Sequence, residues 1–246
     1  MSNPSSPIPH YEGRDLEILA DAPRYQSWIV DQFRPYLGGH VVEYGAGFGS
    51  ISILLAPNCR RLDLVEPSEP LIPPLTRRVA SLEHVSVLRS SLESHVAELA
   101  DNSLDGVVLV NVLEHVEDDI AALRQLARVI KPGGHLMLYV PALSWLMSEL
   151  DRMHGHHRRY SRQDLRSRVS AAGLRVLRDG YMDLVGVVPW WLINVVGGST
   201  AFSPRMIKLY DRLFVPATKI IERLVGAPIG KNLILVAHKP LAPSES

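Results

Sequence analysis

The sequence predicts an α/β fold in which helices cover both faces of a mostly parallel sheet. Three observations carry that expectation. The apolar segment Val41-Val42-Glu43-Tyr44 runs into Gly45-Ala46-Gly47-Phe48-Gly49 and then into Ile51, Ile53, Leu54 and Leu55, the order of strand, tight turn and helix start. A second short apolar strand, Leu62-Asp63-Leu64-Val65, ends in Glu66 and Pro67, about 20 residues on, where open α/β sheets place a ribose-binding carboxylate. Two further apolar segments, Leu104–Val116 and Ile130–Tyr139, continue the alternation of strands with helical stretches.

Glycines in such a turn let the backbone approach a ligand closely, and the helix N-terminus behind them presents free N–H groups. Phosphate sites use the same device. Here Glu43 stands two residues before the first glycine, which disfavours phosphate and suits a ligand with hydroxyls or positive charge. The dinucleotide fingerprint G-x-G-x-x-G is not met, because Ser50 falls where the third glycine belongs.

Taken in order, residues 1–10 are Pro/Ser-rich and expected to be disordered, with neither the basic nor the apolar region of a signal peptide. Residues 11–36 form an N-terminal helical cap of two short helices punctuated by Pro23, the second spanning Arg24–Phe33. Strand one is His40–Tyr44, helix one Ser50–Leu55 and strand two Arg61–Val65. The helix Glu69–Ala80 starts late because Pro70, Pro73 and Pro74 cannot sit in a helix interior. Strand three is Val85–Leu88, strand four Gly106–Asn111, and the next helix Asp118–Val129, with Glu114 and His115 leading into it. Strand five, His135–Val140, ends before Pro141. Ser161 caps a helix to Ala172, with Asp164 completing a variant of the capping box. Strand six is Leu174–Tyr181 and strand seven Asn232–His238.

Composition narrows the class. A chain of 246 residues with 46% hydrophobic content can bury one substantial core, so residues 11–240 read as a single domain with a tail at 241–246. Lysine and arginine balance aspartate and glutamate at 26 each, so no global field favours nucleic acid. The single cysteine, Cys59, forms no intramolecular disulfide framework, and a cytoplasmic enzyme is expected.

The glycine turn E-x-G-x-G-x-G, the strand-end acid Glu66, the strand Asp105–Val116 ending in Val-Leu-Glu-His and the Lys131-Pro132-Gly133-Gly134 turn together resemble the class I S-adenosylmethionine (SAM) dependent methyltransferases. The resemblance covers roughly residues 12–180 and extends to a bacterial small-molecule branch, of the methyltransferase type 11/12 kind. It implies a Rossmann-like sheet of seven strands whose last strand is antiparallel. It also implies that Gly45, Ala46, Gly47 and Gly49, with Glu43, hold the amino acid part of SAM, and that Glu66, followed by Pro67, holds the ribose hydroxyls. The family usually places Asp at position 91; Ser91 departs from that, so the adenine contact would rest on Ser91, the Leu92 backbone and apolar packing. Asn111, Val112 and His115 lie at the ligand-binding end of strand four, and Tyr25 and Trp28 fold over the cofactor or the acceptor, unless both simply pack on the core.

The window Glu149–Ser161 is the most polar in the chain. In one reading it is a substrate loop: His154, His156, His157 or Tyr160 removes the acceptor's proton, while Arg158 or Arg159 pairs with an anionic group. In another it is a solvated loop whose arginines pair with Asp151 and Glu149. A metal site from Asp151 and the histidines is set aside, because adjacent His156 and His157 would not easily converge on one ion, and no metal is assigned.

About 50 residues, 182–231, separate strands six and seven, far more than a hairpin needs. Their apolar run, 184–196, includes Trp190 and Trp191 as acceptor-binding candidates and is too short, and interrupted by Pro189, to span a bilayer. Pro204–Val225 reads as an amphipathic helix pair broken at Pro216. The insert caps the acceptor pocket, forms a homodimer face, rests on a membrane surface, or simply packs on the domain as a lid.

The expected activity is methyl transfer from SAM, leaving S-adenosylhomocysteine, to an O or N atom of a small acceptor that is partly apolar or anionic. A SAM-binding module without catalysis that acts through its apolar insert, and a nicotinamide-dependent oxidoreductase, are the alternatives.

Overall fold

Seven short apolar runs hydrogen-bond into one sheet. They are β1 (His40–Tyr44), β2 (Arg61–Val65), β3 (Val85–Leu88), β4 (Leu104–Val110), β5 (Ile130–Pro141), β6 (Arg175–Met182) and β7 (Asn232–His238). The structure, a computed structural model, describes residues 22–200 and 203–241. The expected disorder at 1–10, the first helix of the N-terminal cap and nearly all of the tail lie outside the described residues.

The strand order is β3-β2-β1-β4-β5-β7-β6. The first five strands pair in parallel, and β7 is antiparallel to both neighbours. The edge therefore differs from a simple antiparallel pair: β6 points with the main sheet and β7 is wedged inside. That position explains why β7 is buried at every residue from Asn232 to Ala237, whereas the outer strand β6 stays largely half-exposed.

Side chains alternate along each strand, so the sheet has two apolar faces. Val41, Leu62, Leu64, Val108, Met137 and Tyr139 face helix α1 (Pro23–Phe33) and helix α3 (Ile72–Val79). Val42, Tyr44, Val107, Leu109, Leu136 and Leu138 face the side covered by α4 (Leu92–Glu98), α5 (Asp119–Val129) and α7 (Arg162–Ala171). Each fully buried side chain of this size contributes roughly 1.5–3 kcal/mol, so tertiary burial rather than intrinsic propensity holds these short helices. The four-residue α2 (Ser52–Leu55) behind the glycine turn depends on it entirely.

Helix starts follow local chemistry. Ser161 accepts the Asp164 N–H at 3.1 Å and Asp118 accepts the Ala121 N–H at 3.0 Å, both N-caps. Pro73 and Pro74 stand in the first turn of α3, after a 3₁₀ turn at Glu69–Leu71. Helix α4 was not expected, and its N-cap is Ser91, which accepts the Ser94 N–H at 3.1 Å. A capping box at Ser148 and Asp151 likewise creates the unexpected helix α6 (Glu149–Met153). Strand β5 begins five residues earlier than expected, with the Lys131–Gly134 turn folded into it as a bulged register. A Cβ at Gly134 would lie 2.8 Å from the Asp105 carbonyl oxygen, so only glycine fits that close approach.

The insert is helical. Helix α8 (Val187–Trp190) continues through wider turns at Trp191–Val196. The second segment is continuous from Pro204 to Val225 rather than broken at Pro216. A wider turn at Tyr210–Phe214 precedes Pro216, which then occupies a first-turn position where its missing N–H removes little. Asp211, 5% exposed, accepts the N–H groups of Tyr25 at 2.8 Å and Arg24 at 3.3 Å. It thereby caps α1, whose own N-cap Ala22 has no acceptor. Among the described residues no helix is long and apolar enough to cross a membrane.

Candidate active site

The turn after β1 lies at the carboxyl ends of the strands, where open α/β sheets bind ligands. All three of its glycines have positive φ: Gly45 at +69°, Gly47 at +56° and Gly49 at +75°. Only glycine adopts that backbone freely. A Cβ at Gly45 would lie 2.5 Å from Cγ2 of Val112, so the loop after β4 closes over the turn. Asn111 (φ +53°), Leu143 (+62°) and Asp183 (+67°) are likewise left-handed, and each follows the end of a strand on this same side. Such backbone outliers gather where ligands are held.

Glu66 spans the turn. Its Oε2 accepts the Gly47 N–H at 2.8 Å and its Oε1 accepts the Ser68 N–H at 2.9 Å. Burial raises its pKa, and the two N–H groups partly offset that. Each carboxylate oxygen keeps a second lone pair, so both can still accept a hydroxyl. Glu43 is 2% exposed and accepts the Ser52 hydroxyl at 2.5 Å. Burial pushes its pKa to about 8, the Ser52 bond counteracts, and the charge of Glu66 adds to the rise. Glu43 thus braces the turn from beneath through α2, instead of reaching out to a ligand. Leu92 is buried behind the site, Pro67 is half-buried beside Glu66, and Ala46 is buried within the turn. Ser91 spends its hydroxyl on capping α4.

The polar window turns out to be largely self-neutralising. Arg159 pairs with Asp151 through two bonds, 3.1 and 2.8 Å, and donates to the Ala142 carbonyl. Arg158 pairs with Asp119 at 2.8 Å. Neither guanidinium is left over for an anionic acceptor, and the expectation that they bind one is corrected. Tyr160 is fully buried and its hydroxyl donates to Asp119 at 2.8 Å; burial and that neighbouring charge raise its pKa further, so it is no acceptor base. Trp28 is 5% exposed and packs edge-on to Tyr25 in the core, away from an acceptor role.

The histidines separate into distinct roles. His156 bonds Asp151 through Nδ1 at 2.9 Å and lies beside His115, their ring centroids 4.7 Å apart. His154 ends α6, its ring 6.3 Å from that of His156. His157 is exposed, and its backbone N–H donates to the Glu114 carbonyl at 2.9 Å. Ring burial first, then the charges of His156 and His154, lower the pKa of His115 to about 4, although the residue keeps an exposed edge.

A second polar cluster was not foreseen. Asp183, fully buried, accepts the Tyr25 hydroxyl at 3.0 Å, the Tyr210 hydroxyl and the Gly186 N–H at 3.1 Å. The Tyr25 hydroxyl also meets the Tyr139 hydroxyl at 2.6 Å and the Asn232 amide at 2.9 Å. Lys231 pairs with Asp183 at 3.1 Å and sits 5.4 Å over the ring of Tyr25 and 5.5 Å over that of Trp190. Trp190 donates its indole N–H to the Leu146 carbonyl at 3.1 Å and stacks on Arg159, while Trp191 is 42% exposed. Tyr25 and Trp190 therefore anchor the lid over the sheet end. The run Met182-Asp183 carries no local signal for this role; only contacts to residues far away in sequence define it.

Comparison with known proteins agrees with this architecture. Residues 20–179 match the family described as a methyltransferase domain. A ubiquinone biosynthesis O-methyltransferase from Cronobacter sakazakii is 30% identical over 143 residues, 56% of this chain and 58% of that protein. The chain thus spans little more than half the length of that curated relative. Geranyl diphosphate methyltransferase, solved with SAM, aligns at a TM-score of 0.64 and 14% identity over 94% of this chain and 92% of that one. A methyltransferase complexed with the Haloferax volcanii Trm112 activator aligns at 0.63 and 18% identity, over 94% and 95%. At these identities the solved structures speak to the fold alone.

Proposed function

The chain belongs to the class I SAM-dependent methyltransferase family, and from that premise we propose that it transfers a methyl group from SAM to an oxygen or nitrogen of a small, partly apolar acceptor. The observation that carries this reading is the turn of three left-handed glycines bridged by a buried carboxylate, Glu66. When bound, SAM supplies a sulfonium methyl open to in-line displacement. Gly45, Ala46, Gly47 and Gly49 present close backbone to its amino acid part, and Glu66 offers lone pairs to its ribose. Asn111, Val112 and Leu92 wall the crevice. The acceptor's proton leaves to solvent, and Asp151 orients His156 beside His115. The expectation of an anionic acceptor loses its support, since Arg158 and Arg159 are already paired.

The apolar character of the acceptor is supported by the insert. Leu209, Leu213, Ile220 and Leu224 expose between 52% and 80% of their surface. Pro204–Val225 also carries five basic residues against two acidic ones, Asp211 and Glu222, both engaged by backbone N–H groups. An amphipathic helix of that kind suits an anionic membrane surface from which a lipophilic acceptor is taken.

Calorimetric titration of SAM and S-adenosylhomocysteine into the wild type and Glu66→Ala tests the donor site. Binding by the wild type and a loss of at least tenfold in the variant are expected; no heat with folded wild type removes the assignment. Co-sedimentation with anionic vesicles tests the insert, and a stable dimer without vesicle binding would replace the membrane reading.

A further inference from the structure

Glu114 is fully buried, and among the described residues neither of its carboxylate oxygens has a hydrogen-bond partner. Buried polar side chains almost always find partners, so a carboxyl with both oxygens unpaired calls for an explanation. These oxygens do not face an apolar shell. Glu114, His115 and His156 each bring one ligand atom within 4.8 Å of the others. Zinc bonds of about 2.0–2.2 Å set tetrahedral donors roughly 3.3–3.6 Å apart, inside that bound.

The surroundings hold the donors in place. Asp151 takes Nδ1 of His156, which leaves Nε2 as the nitrogen able to ligate. Ligating histidines are commonly oriented by a carboxylate in this way. Asp151 is itself fixed by Arg159 and by Ser148, so its orientation is not free to drift. The His157 N–H to Glu114 carbonyl bond stitches the histidine loop to the segment after β4. One carboxylate with two imidazoles is a donor set for zinc and its first-row neighbours, whereas calcium and magnesium call for oxygen donors.

We propose that Glu114, His115 and His156 bind one divalent transition-metal cation beside the methyl donor's crevice. The earlier expectation of no metal rested on His156 and His157 being adjacent. The structure pairs His156 instead with residues about 40 positions earlier in the chain. Three protein donors leave coordination positions open. An acceptor hydroxyl taken there would release its proton to solvent more readily. Its oxygen lone pair then forms the new bond to the methyl carbon, and the electron pair of the breaking carbon–sulfur bond stays on sulfur. That use of the site rests on the methyltransferase reading; cation binding does not.

The experiment uses chelator-treated, untagged full chain titrated with Zn²⁺ by calorimetry and with Co²⁺ by visible absorption. The expected result is one equivalent bound by the wild type, with a tetrahedral or five-coordinate cobalt spectrum. Affinity should fall at least about tenfold in His115→Ala and in Glu114→Gln. His84→Ala, whose imidazole meets the Ala56 carbonyl at 3.0 Å far from this cluster, should bind like the wild type. His115 keeps an exposed edge, so its alanine variant is expected to fold, and thermal melting of both variants checks this. Absence of stoichiometric binding by the wild type, or unchanged affinity in a folded His115→Ala, overturns the proposal. S-adenosylhomocysteine titrated into the same samples separates the two readings. Its binding without a cation site sinks only the metal, and a cation site without its binding sinks only the methyl donor.

Discussion

Asp183→Ala probes the joint that fastens the lid. Asp183 is fully buried and receives two tyrosine hydroxyls, one backbone N–H and the Lys231 ammonium. Those groups belong to α1, to the long insert helix and to the approach to β7, so one side chain ties three elements. Alanine would leave the Lys231 ammonium without its counter-ion and take the acceptor from the Tyr210 hydroxyl and the Gly186 N–H, while the Tyr25 hydroxyl keeps Tyr139 as a partner. Removing one partner of a buried ion pair costs about 3–5 kcal/mol. The Lys231 side chain keeps 22% exposure, which lets water recover part of that loss and favours the lower end. Alanine at φ +67° adds roughly 1 kcal/mol of backbone strain that aspartate tolerates better. A net loss of about 3–4 kcal/mol is expected. For a domain of this size that corresponds to a melting temperature lower by roughly 6–16 °C. Asp183→Asn keeps an acceptor and tolerance of the left-handed backbone while losing the charge, so about half the effect is expected. Urea unfolding followed by circular dichroism at pH 7 measures both. A shift below 1 kcal/mol for Asp183→Ala, or equal losses for Ala and Asn, would refute the view that this carboxylate neutralises Lys231 and moors the lid.

Glu43→Gln tests the brace beneath the glycine turn. The folded-state pKa of Glu43 is raised to about 8, so the folded protein holds that proton more tightly than the unfolded chain, and its contribution is lost as pH rises from about 4.5 to 8. The variant should unfold at nearly the same urea concentration at pH 5 and 8, or fall less between them than the wild type; a parallel pH dependence counts against a buried neutral carboxyl. Gly45→Ala should lose about 1–3 kcal/mol in thermal denaturation and weaken S-adenosylhomocysteine binding, because its Cβ meets Val112 and its φ is unfavourable; an unaltered variant would mean the turn is not held in this shape. Tyr160→Phe should cost about 1 kcal/mol through the lost bond to Asp119 and leave ligand affinity and turnover unchanged. A variant of wild-type stability with abolished turnover would return Tyr160 to the reacting centre.

The sequence alone determined the strands of the sheet and the glycine turn. Strands β1, β2, β3 and β7 lie at the bounds their apolar runs predict: β1, β2 and β7 are buried on both faces and leave short, mostly apolar signatures, while the edge strand β3 is only half-buried and alternates. The glycines at 45, 47 and 49 and the acid at 66 were legible because turn chemistry is local. Tertiary structure decided the rest. Whether Arg159 meets an acceptor or Asp151, whether Tyr160 is a base or a buried strut, and whether Asp183 is a loop residue or a joint depends on partners up to 158 positions away along the chain. The same holds for Glu114 and His156, which no spacing rule joins. A side chain's charge and reach are written in its own identity, but the water it loses and the partner it gains are set only when distant segments pack together.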